Sequence, residues 1–170
     1  MGEDDLEEFR AFVMARSASM IRSAWLMTGS EATAQDLVQS ALLTTWQRWS
    51  TLRDQKAAEA YTRRVVVTTY VSWRRRRAFH ERPTQTVPDL AADDLVGRAE
   101  LRHDVAAALA LLSPRQRAVI ALRYLDQLTE AETAAALGCS IGTVKTQAAR
   151  AIARLRASPA LDLDPRRVPR

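Results

Sequence analysis

The strongest constraint on the fold is the order of helix start and stop signals between residues 113 and 156. Segment 113–116, Ser-Pro-Arg-Gln, offers a capping serine, a proline at the first helical position and a glutamine three residues after the cap. These residues satisfy or remove N–H groups that would otherwise lack partners at a helix start. Segment 129–132, Thr-Glu-Ala-Glu, repeats the capping pattern before an alanine-rich run that stops at Gly138. The sequence therefore predicts two consecutive helices.

A third helix is predicted directly after this pair. Gly138 can adopt the left-handed conformation that ends a helix, and Ser140 can cap a new helix that runs from Ile141 to about Arg156. Two helices joined by a tight turn in this way are typical of a helix-turn-helix motif. Apolar residues with helical spacing form one face of the last helix, which is predicted to pack on the preceding helices. These residues are Val144, Ala148, Ala151 and Leu155.

The opposite face of the last helix carries groups that can bind DNA. Hydroxyl, amide and guanidinium groups suit base edges and phosphates in the major groove, and arginines on the earlier helices are predicted to contact the flanking phosphates. The alternative is the solvated polar face of an ordinary helical bundle. The residues predicted to bind DNA are Ser140, Thr143, Lys145, Thr146, Gln147 and Arg150, with Arg115, Arg117 and Arg123 before them; Arg154 shares the same face.

Composition agrees with an all-α protein that has a polyanionic partner. The chain has 170 residues, of which 47% are hydrophobic, and its formal net charge is +5. Two basic blocks, +3 over residues 1–77 and +4 over residues 113–158, flank a segment of −3 over residues 78–112. A single cysteine excludes an intramolecular disulfide, the acidic start does not resemble a signal peptide, and no apolar run is long enough to cross a bilayer. The cytoplasm is the expected location.

The first basic block is predicted to form four helical elements within residues 5–77. Apolar positions indicate a long opening helix or a pair of helices that ends at Gly29, and then a helix over residues 32–49. Segment 50–57 interrupts the periodicity and is predicted to be a loop, before a long helix from about Ala58 to Arg77. The second helix exposes a polar face that could be an interface, made of Gln35, Asp36, Gln39, Ser40 and Gln47.

The long helix mixes aromatic and basic residues over 61–77. Arginines can bind phosphates and aromatic rings can stack on unpaired bases, a combination suited to single-stranded DNA. Core packing is an equally open interpretation for Tyr61, Tyr70 and Trp73. Residues 78–99 contain prolines and acidic residues and are predicted to be a flexible linker, and the tail 158–170 is predicted to be disordered.

Taken together, the two blocks resemble bacterial RNA polymerase sigma factors of the extracytoplasmic-function group, and within it the actinobacterial SigE-family subgroup. Residues 112–124 match the opening of the sigma-4 domain, and residues 142–146 match its recognition helix. Residues 36–39 match the sigma-2 segment that binds the polymerase clamp, and residues 70–77 match the end of sigma-2 in this subgroup. The resemblance covers roughly residues 6–157.

The resemblance implies an all-α initiation factor with two small domains joined by a flexible linker. These are a four-helix sigma-2 domain over 5–77, a linker over 78–99 that threads polymerase channels, and a sigma-4 helix-turn-helix domain over 100–157. Sigma-4 would read the −35 element with the DNA-binding residues given above. Sigma-2 would dock on the polymerase clamp helices and open the −10 element, where loop 50–57 could hold a flipped base. Clamp contacts would come from Gln35, Asp36, Gln39 and Ser40, and −10 contacts from Arg63, Arg64, Thr68, Thr69, Ser72, Arg74 and Arg75.

No catalytic constellation is apparent in the sequence, so an enzyme is not expected. His80 and His103 lack partners at metal-ligand spacing, which argues against a metal site, and no cofactor is expected. The expected partners are core RNA polymerase, through its clamp helices and flap, promoter DNA and an anti-sigma factor. Two alternatives remain open: a dimeric helix-turn-helix regulator that binds duplex DNA without polymerase, and an interaction protein that binds only other proteins.

Overall fold

A computed structural model describes residues 3–52, 54–80 and 96–158, and the side chains of 4–52, 54–76 and 103–158. Every regular element in these ranges is helical, as the all-α prediction requires. Of the predicted linker 78–99, residues 78–80 continue α3, residues 96–99 begin α4, and residues 81–95 lie outside the described residues. The predicted tail 158–170 also lies outside them, apart from Ser158. The elements are α1 (Glu3–Thr28), α2 (Glu31–Trp46), a 3-10 turn (Trp49–Thr51), α3 (Gln55–His80), α4 (Val96–Ala110), α5 (Pro114–Ile120), a π-helical turn (Ala121–Leu125), α6 (Glu130–Leu137) and α7 (Ile141–Arg156).

The opening segment is a single helix, which decides between the two predicted forms. Helix α1 continues without a break to Thr28, and Gly29 follows with a φ of 73°, a conformation that glycine adopts without strain. Ser30 then caps α2, because its hydroxyl accepts a hydrogen bond from the backbone N–H of Thr33. Four helices were predicted here, and this part contains three α-helices, because the opening pair is one helix; a 3-10 turn precedes α3.

Helix α3 begins earlier than the sequence predicted. Asp54 Oδ1 accepts a hydrogen bond from the backbone N–H of Ala57 at 2.7 Å, so the aspartate acts as the helix cap. The predicted start near Ala58 was wrong by three residues, since Asp54 was assigned to the loop. The loop is shorter than predicted, because the 3-10 turn takes residues 50 and 51 of the predicted loop 50–57 and α3 takes residues 55–57. Trp49, the first residue of the 3-10 turn, is buried.

An aromatic cluster joins α1 to the end of α2. The ring centroid of Phe9 lies 4.9 Å from that of Trp46 and 5.0 Å from that of Trp49, and Phe12 lies 5.4 Å from Trp49. Tilted and edge-on contacts at such distances are the favourable arrangements for aromatic rings. This cluster fixes the angle between α1 and α2, and therefore the position of the polar face of α2.

The helix-turn-helix forms as the capping signals predicted. Both reciprocal hydrogen bonds of a capping box are present at Ser113 and again at Thr129. Gly138 is left-handed with a φ of 61°, and the Ser140 hydroxyl accepts from the N–H of Thr143. The predicted stripe of α7 packs inward, with Val144 and Ala151 completely buried. The predicted bounds of α7 are therefore confirmed.

The two halves of the chain pack against each other around one apolar core. Val67 and Tyr70 of α3 belong to the same buried cluster as Val119, Leu122 and Leu137 of the second half. A smaller cluster, made of Leu109, Leu112 and Ala151, also contacts Leu26 of α1. The predicted domain boundaries stay a prediction, but the halves are in direct contact in this arrangement.

Candidate nucleic-acid interface

The outer face of α7 presents most of the predicted DNA-binding groups to solvent. Lys145, Thr146 and Arg150 are exposed, whereas Thr143 and Gln147 are half-buried. The hydroxyls of Ser140 and Thr143 lie 2.9 Å apart, and the Thr146 hydroxyl donates to Gly142 O at 2.9 Å. These local hydrogen bonds orient the hydroxyls before any ligand arrives. The buried stripe on the opposite face fixes how α7 presents this surface.

One ion pair partly neutralises this surface. Lys145 Nζ lies 3.5 Å from Glu130 Oε2, and both side chains are well exposed to solvent. Exposed pairs of this kind contribute little to stability. Lys145 can therefore exchange the carboxylate for a phosphate at small cost.

The three arginines before α7 lie in different environments. Arg115 is exposed, and Arg123 donates through Nη1 to the carbonyl of Leu128. Arg117 is only 9% exposed, and it donates through Nη1 to Met27 O and through Nη2 to Ala110 O, each at 3.2 Å. Arg117 therefore joins α5 to α1 and α4, and its guanidinium is not at the surface in this arrangement. Its predicted phosphate contact stays a prediction.

The residues predicted to bind the −10 element all lie on α3. Arg64, Thr68, Arg74 and Arg75 are exposed, and Thr69 and Ser72 are half-buried. The Thr68 hydroxyl donates to Arg64 O at 2.8 Å, which leaves its oxygen free to accept a hydrogen bond. The structure thus places all of these residues at exposed or half-buried positions, Arg63 included.

Arg63 is held in a network of charged groups. Its Nη2 lies 2.7 Å from Glu59 Oε1, and its Nε donates to Asp126 Oδ2 at 3.1 Å. Glu59 Oε2 in turn lies 3.2 Å from Arg16 Nε, and the Ser23 hydroxyl donates to Asp126 Oδ1. Three separate elements, α1, α3 and the end of the π-helical turn, are joined by these contacts.

The aromatic residues of α3 serve the core more than the surface. Tyr70 is 2% exposed, and half-buried Trp73 also packs against the core. Burial raises the pKa of Tyr70, against the opposing effect of the nearby positive charges of Arg117 and Arg74. Burial likewise lowers the pKa of the Arg117 guanidinium. Of the two open interpretations, core packing is the correct one for Tyr70.

A narrow cleft separates α3 from the second half of the chain. Its volume is about 190 Å³. One wall is formed by residues of α3 that include Thr68, Ser72 and Arg75, and the other by Arg115 and Leu137. Residues predicted for the −10 and −35 elements therefore face each other across the same cleft.

The polar face of α2 is fully accessible. Gln35, Asp36, Gln39 and Ser40 are all exposed on consecutive helical turns. Leu43 continues this face and is 66% exposed, although it is a large apolar residue. Leu43 was not among the predicted interface residues, although its i+4 spacing from Gln39 places it on the same helix face. An exposed leucine beside polar groups is typical of a protein-binding surface.

Membrane-spanning helices and metal-ligand clusters are both absent from the part of the chain that the structure describes. No described helix combines the length and apolar character that crossing a membrane needs. Among the described side chains, no three of His, Cys, Asp or Glu come together to hold a metal ion.

The arrangement of an exposed α2 face, a basic α3 and a helix-turn-helix defines the class of protein. The family model for sigma-70 region 2 matches residues 12–80, and that for sigma-70 region 4 matches residues 102–155. The chain belongs to the sigma-70 family of RNA polymerase sigma factors, in the extracytoplasmic-function group. This membership supersedes the two alternative classes that the sequence left open.

Among its relatives is the RNA polymerase sigma-E factor of Streptomyces coelicolor. The two are 42% identical over 171 aligned residues, which cover 100% of this chain and 96% of the relative. The ECF RNA polymerase sigma factor SigL of Mycobacterium tuberculosis is 34% identical over 152 residues, 86% of each chain. The fold is similar to that of the sigma factor RpoE, solved in complex with the anti-sigma factor NepR from Bartonella quintana. That match has a TM-score of 0.75 at 24% identity and covers 93% of this chain and 99% of the other.

Proposed function

We propose that this sigma factor docks on core RNA polymerase through α2, opens the −10 element with α3 and reads the −35 element with α7. The observation that carries the proposal is the geometry of α7. Its apolar stripe is buried, while Lys145, Thr146 and Arg150 project from the opposite face behind a capped N-terminus. A helix anchored in this way can enter the major groove without unfolding its own support.

Docking on polymerase is assigned to the exposed face of α2. Gln35, Asp36, Gln39 and Ser40 supply polar contacts, and we add Leu43 as an apolar contact in the same surface. Burial of a leucine side chain at an interface is worth roughly 1.5–3 kcal/mol. None of these side chains supports the fold, so they can be changed without unfolding the protein.

Promoter opening is assigned to the basic side of α3. Arg64, Arg74 and Arg75 would neutralise phosphates, and Thr68, Thr69 and Ser72 would offer hydrogen bonds to an unpaired strand. Extruding a base costs a few kcal/mol, which several phosphate contacts together can offset. Arg63 joins this set once its carboxylate partners are exchanged for phosphate. The protein acts by binding alone, without a catalytic step, and its place of action is the cytoplasm, where polymerase and chromosome are.

The test is in vitro transcription from a pooled library of promoter fragments, with purified core polymerase and with or without this protein. We expect new transcript starts that share two spaced upstream elements. The α7 variant T143A/Q147A/R150A should lose starts that depend on the −35 element, and D36A/Q39A/L43A should lose them all. Glu7→Gln, which removes only an exposed ion pair within α1, is the matched control.

Two outcomes would contradict the proposal. No new starts, together with salt-sensitive duplex binding by the protein alone, would favour a free-standing regulator. Full activity of the α7 variant would show that this helix does not read DNA.

An anti-sigma factor is a further partner that we propose from family membership. A protein captured on immobilised wild-type protein but not on the variant D36A/Q39A/L43A would be an anti-sigma factor that competes with polymerase.

A further inference from the structure

One large apolar side chain of α7 faces solvent. Ile141, the first residue of the helix, is 44% exposed, whereas Val144 and Ala151 of the apolar stripe are completely buried. An isoleucine at the surface keeps apolar area in contact with water, and burial of that area against a partner is favourable. Packing within the chain therefore leaves much of the Ile141 side chain available for a contact with another molecule.

Ile141 lies on the surface of α7 that is proposed to enter the major groove. It precedes Lys145 by four residues, so the two side chains share one side of the helix. Gly142 and Thr146, which are both exposed, form the neighbouring row. The N-terminal residues of a recognition helix are those that contact base edges. Ile141 therefore has the position of a base contact, although its side chain cannot form a hydrogen bond.

Gly142, beside Ile141, is a glycine that the fold does not require. Its φ is not in the left-handed region, and an added Cβ would meet only Ser140 Oγ, at 3.8 Å. Glycine within a helix is less favourable than alanine. The absence of a side chain does, however, let another molecule come close to the backbone. The bare helix surface beside Ile141 therefore suits the close approach of a base pair.

The chemistry of isoleucine favours one base over the others. In the major groove the 5-methyl group of thymine is an apolar group, whereas the other bases present hydrogen-bond donors and acceptors. A contact between isoleucine and this methyl group removes apolar area of both from water. A polar base edge pressed against isoleucine would lose water without gaining a hydrogen bond, which is unfavourable. An isoleucine at this position therefore selects thymine.

We propose that Ile141 is a specificity-determining residue that packs against the 5-methyl group of one thymine in the −35 element. Gly142 allows the base pair to come close enough for this contact. The inference deepens the proposed function and rests on it, because it concerns the same face of α7. It adds an apolar contact to a surface whose other predicted contacts are all polar.

Replacing thymine by deoxyuridine removes only the 5-methyl group, so it tests the contact from the side of the DNA. The probe is a promoter duplex recovered from the transcription library, in which each thymine of the −35 element is replaced in turn. Fluorescence anisotropy measures binding of the holoenzyme to each duplex.

Loss of one buried methyl group should weaken binding of the wild-type holoenzyme about three- to fourfold at one position. With Ile141→Ala, the same replacement should change binding by less than about twofold, because the partner of the methyl group is already gone. Met14→Ala is the matched control, since Met14 is an apolar residue of α1 that is 85% exposed. This variant should show the same effect of the methyl group as the wild-type protein.

Two results would overturn the proposal while the proposed function stands. The wild-type holoenzyme could bind the unmodified duplex and lose no affinity with any deoxyuridine, or Ile141→Ala could show the same loss as the wild-type protein. An absence of new transcript starts in the library would instead refute the proposed function, and this contact with it.

Gly142→Ala is a second test, which does not depend on changing Ile141. Alanine favours the helix, so the variant should raise the melting temperature. The added methyl group should obstruct the close approach and weaken binding of the holoenzyme to the unmodified duplex at least about fivefold. Opposite changes in stability and affinity would support the contact, because partial unfolding lowers both. Duplex binding as tight as that of the wild-type protein would overturn it.

Discussion

Thr45 Oγ1 and Thr62 Oγ1 lie 2.8 Å apart in the fully buried contact between α2 and α3. Each hydroxyl also faces the carbonyl four residues earlier on its own helix, Ala41 O at 2.8 Å and Ala58 O at 2.7 Å. Because two hydroxyls have only two protons, they can donate in only two of these three contacts. The two threonines therefore form one coupled polar unit within the core.

Valine has nearly the same shape as threonine, so it tests this unit directly. We expect Thr45→Val or Thr62→Val to lower the free energy of unfolding by about 1 kcal/mol. The double variant should lose much less than the sum, because no buried hydroxyl is then left without its partner. Urea unfolding of the wild-type protein and the three variants gives the coupling energy. Losses that add within about 0.3 kcal/mol would show that the hydroxyls act independently.

Replacing Gly138 and Gly142 by alanine should change the free energy of unfolding in opposite directions. At Gly138, φ is +61° and an added Cβ would meet no atom within 4 Å, so alanine suffers only the backbone strain. Gly138→Ala should destabilise by about 1–2 kcal/mol. At Gly142, within α7, an added Cβ would meet only Ser140 Oγ at 3.8 Å, and Gly142→Ala should stabilise by about 0.5–1 kcal/mol. Thermal unfolding of both variants is the measurement, and shifts of the same sign would be evidence against this account.

The capping carboxylate of Glu132 should make the stability of α6 depend on pH. Its carboxylate accepts from the N–H and the hydroxyl of Thr129, at 2.8 and 2.7 Å, and these hydrogen bonds lower the pKa of Glu132. A lowered pKa means that the stabilisation is complete above the ordinary glutamate pKa and is lost as the pH falls through the folded value. Glu132→Gln keeps an acceptor but does not titrate.

The difference in melting temperature between wild-type protein and Glu132→Gln should therefore be largest near neutral pH and shrink in acid. Melting curves between neutral and acidic pH measure it, and an NMR titration of the Glu132 carboxyl gives the pKa directly. A difference that is constant with pH would mean that the capping carboxylate is not responsible.

Two residues of α7 should separate affinity from sequence recognition. Arg150 is exposed, and in the proposed function it contacts a phosphate. Arg150→Ala should therefore weaken binding to every promoter, and the slope of log affinity against log salt concentration should become less steep by about 0.9. Gln147 is half-buried on the same face, and Gln147→Ala should cost roughly 1–3 kcal/mol of discrimination at one base pair. Anisotropy titrations of the holoenzyme on promoter duplexes, at several salt concentrations, distinguish the two. Identical effects of both changes would contradict these separate roles.

Features that depend on neighbouring residues were predictable from the sequence. The caps at Ser113, Thr129 and Ser140 and the left-handed Gly138 all involve groups within four positions, and the structure contains each of them. The buried stripe of α7 follows from helical periodicity in the same way. The start of α3 was missed because Asp54 was assigned to a loop, although an aspartate before a helix is an ordinary cap.

Features that depend on distant residues were not predictable. Asp126 bonds Arg63 and Ser23, which lie 63 and 103 positions away, and Arg117 bonds the carbonyl of Met27, 90 positions away. Basic character assigned Arg117 to DNA, and the family resemblance assigned Arg63 to it. An arginine that binds a carboxylate or a carbonyl has the same sequence signature as one that binds a phosphate. Only the packing of the two halves against each other shows that Arg63 and Arg117 bind protein groups in this structure.

The shared core has a consequence for how such proteins diversify. Val67 and Tyr70 from one half are buried with Val119, Leu122 and Leu137 from the other. Exchanging residues 102–155 for those of another family member replaces one side of this core while the other side stays unchanged. A hybrid made in this way acquires a new recognition helix and, with it, a mismatched interior. We therefore expect a change of the proposed recognition helix in this protein to require matching changes in the α3 residues of the shared core.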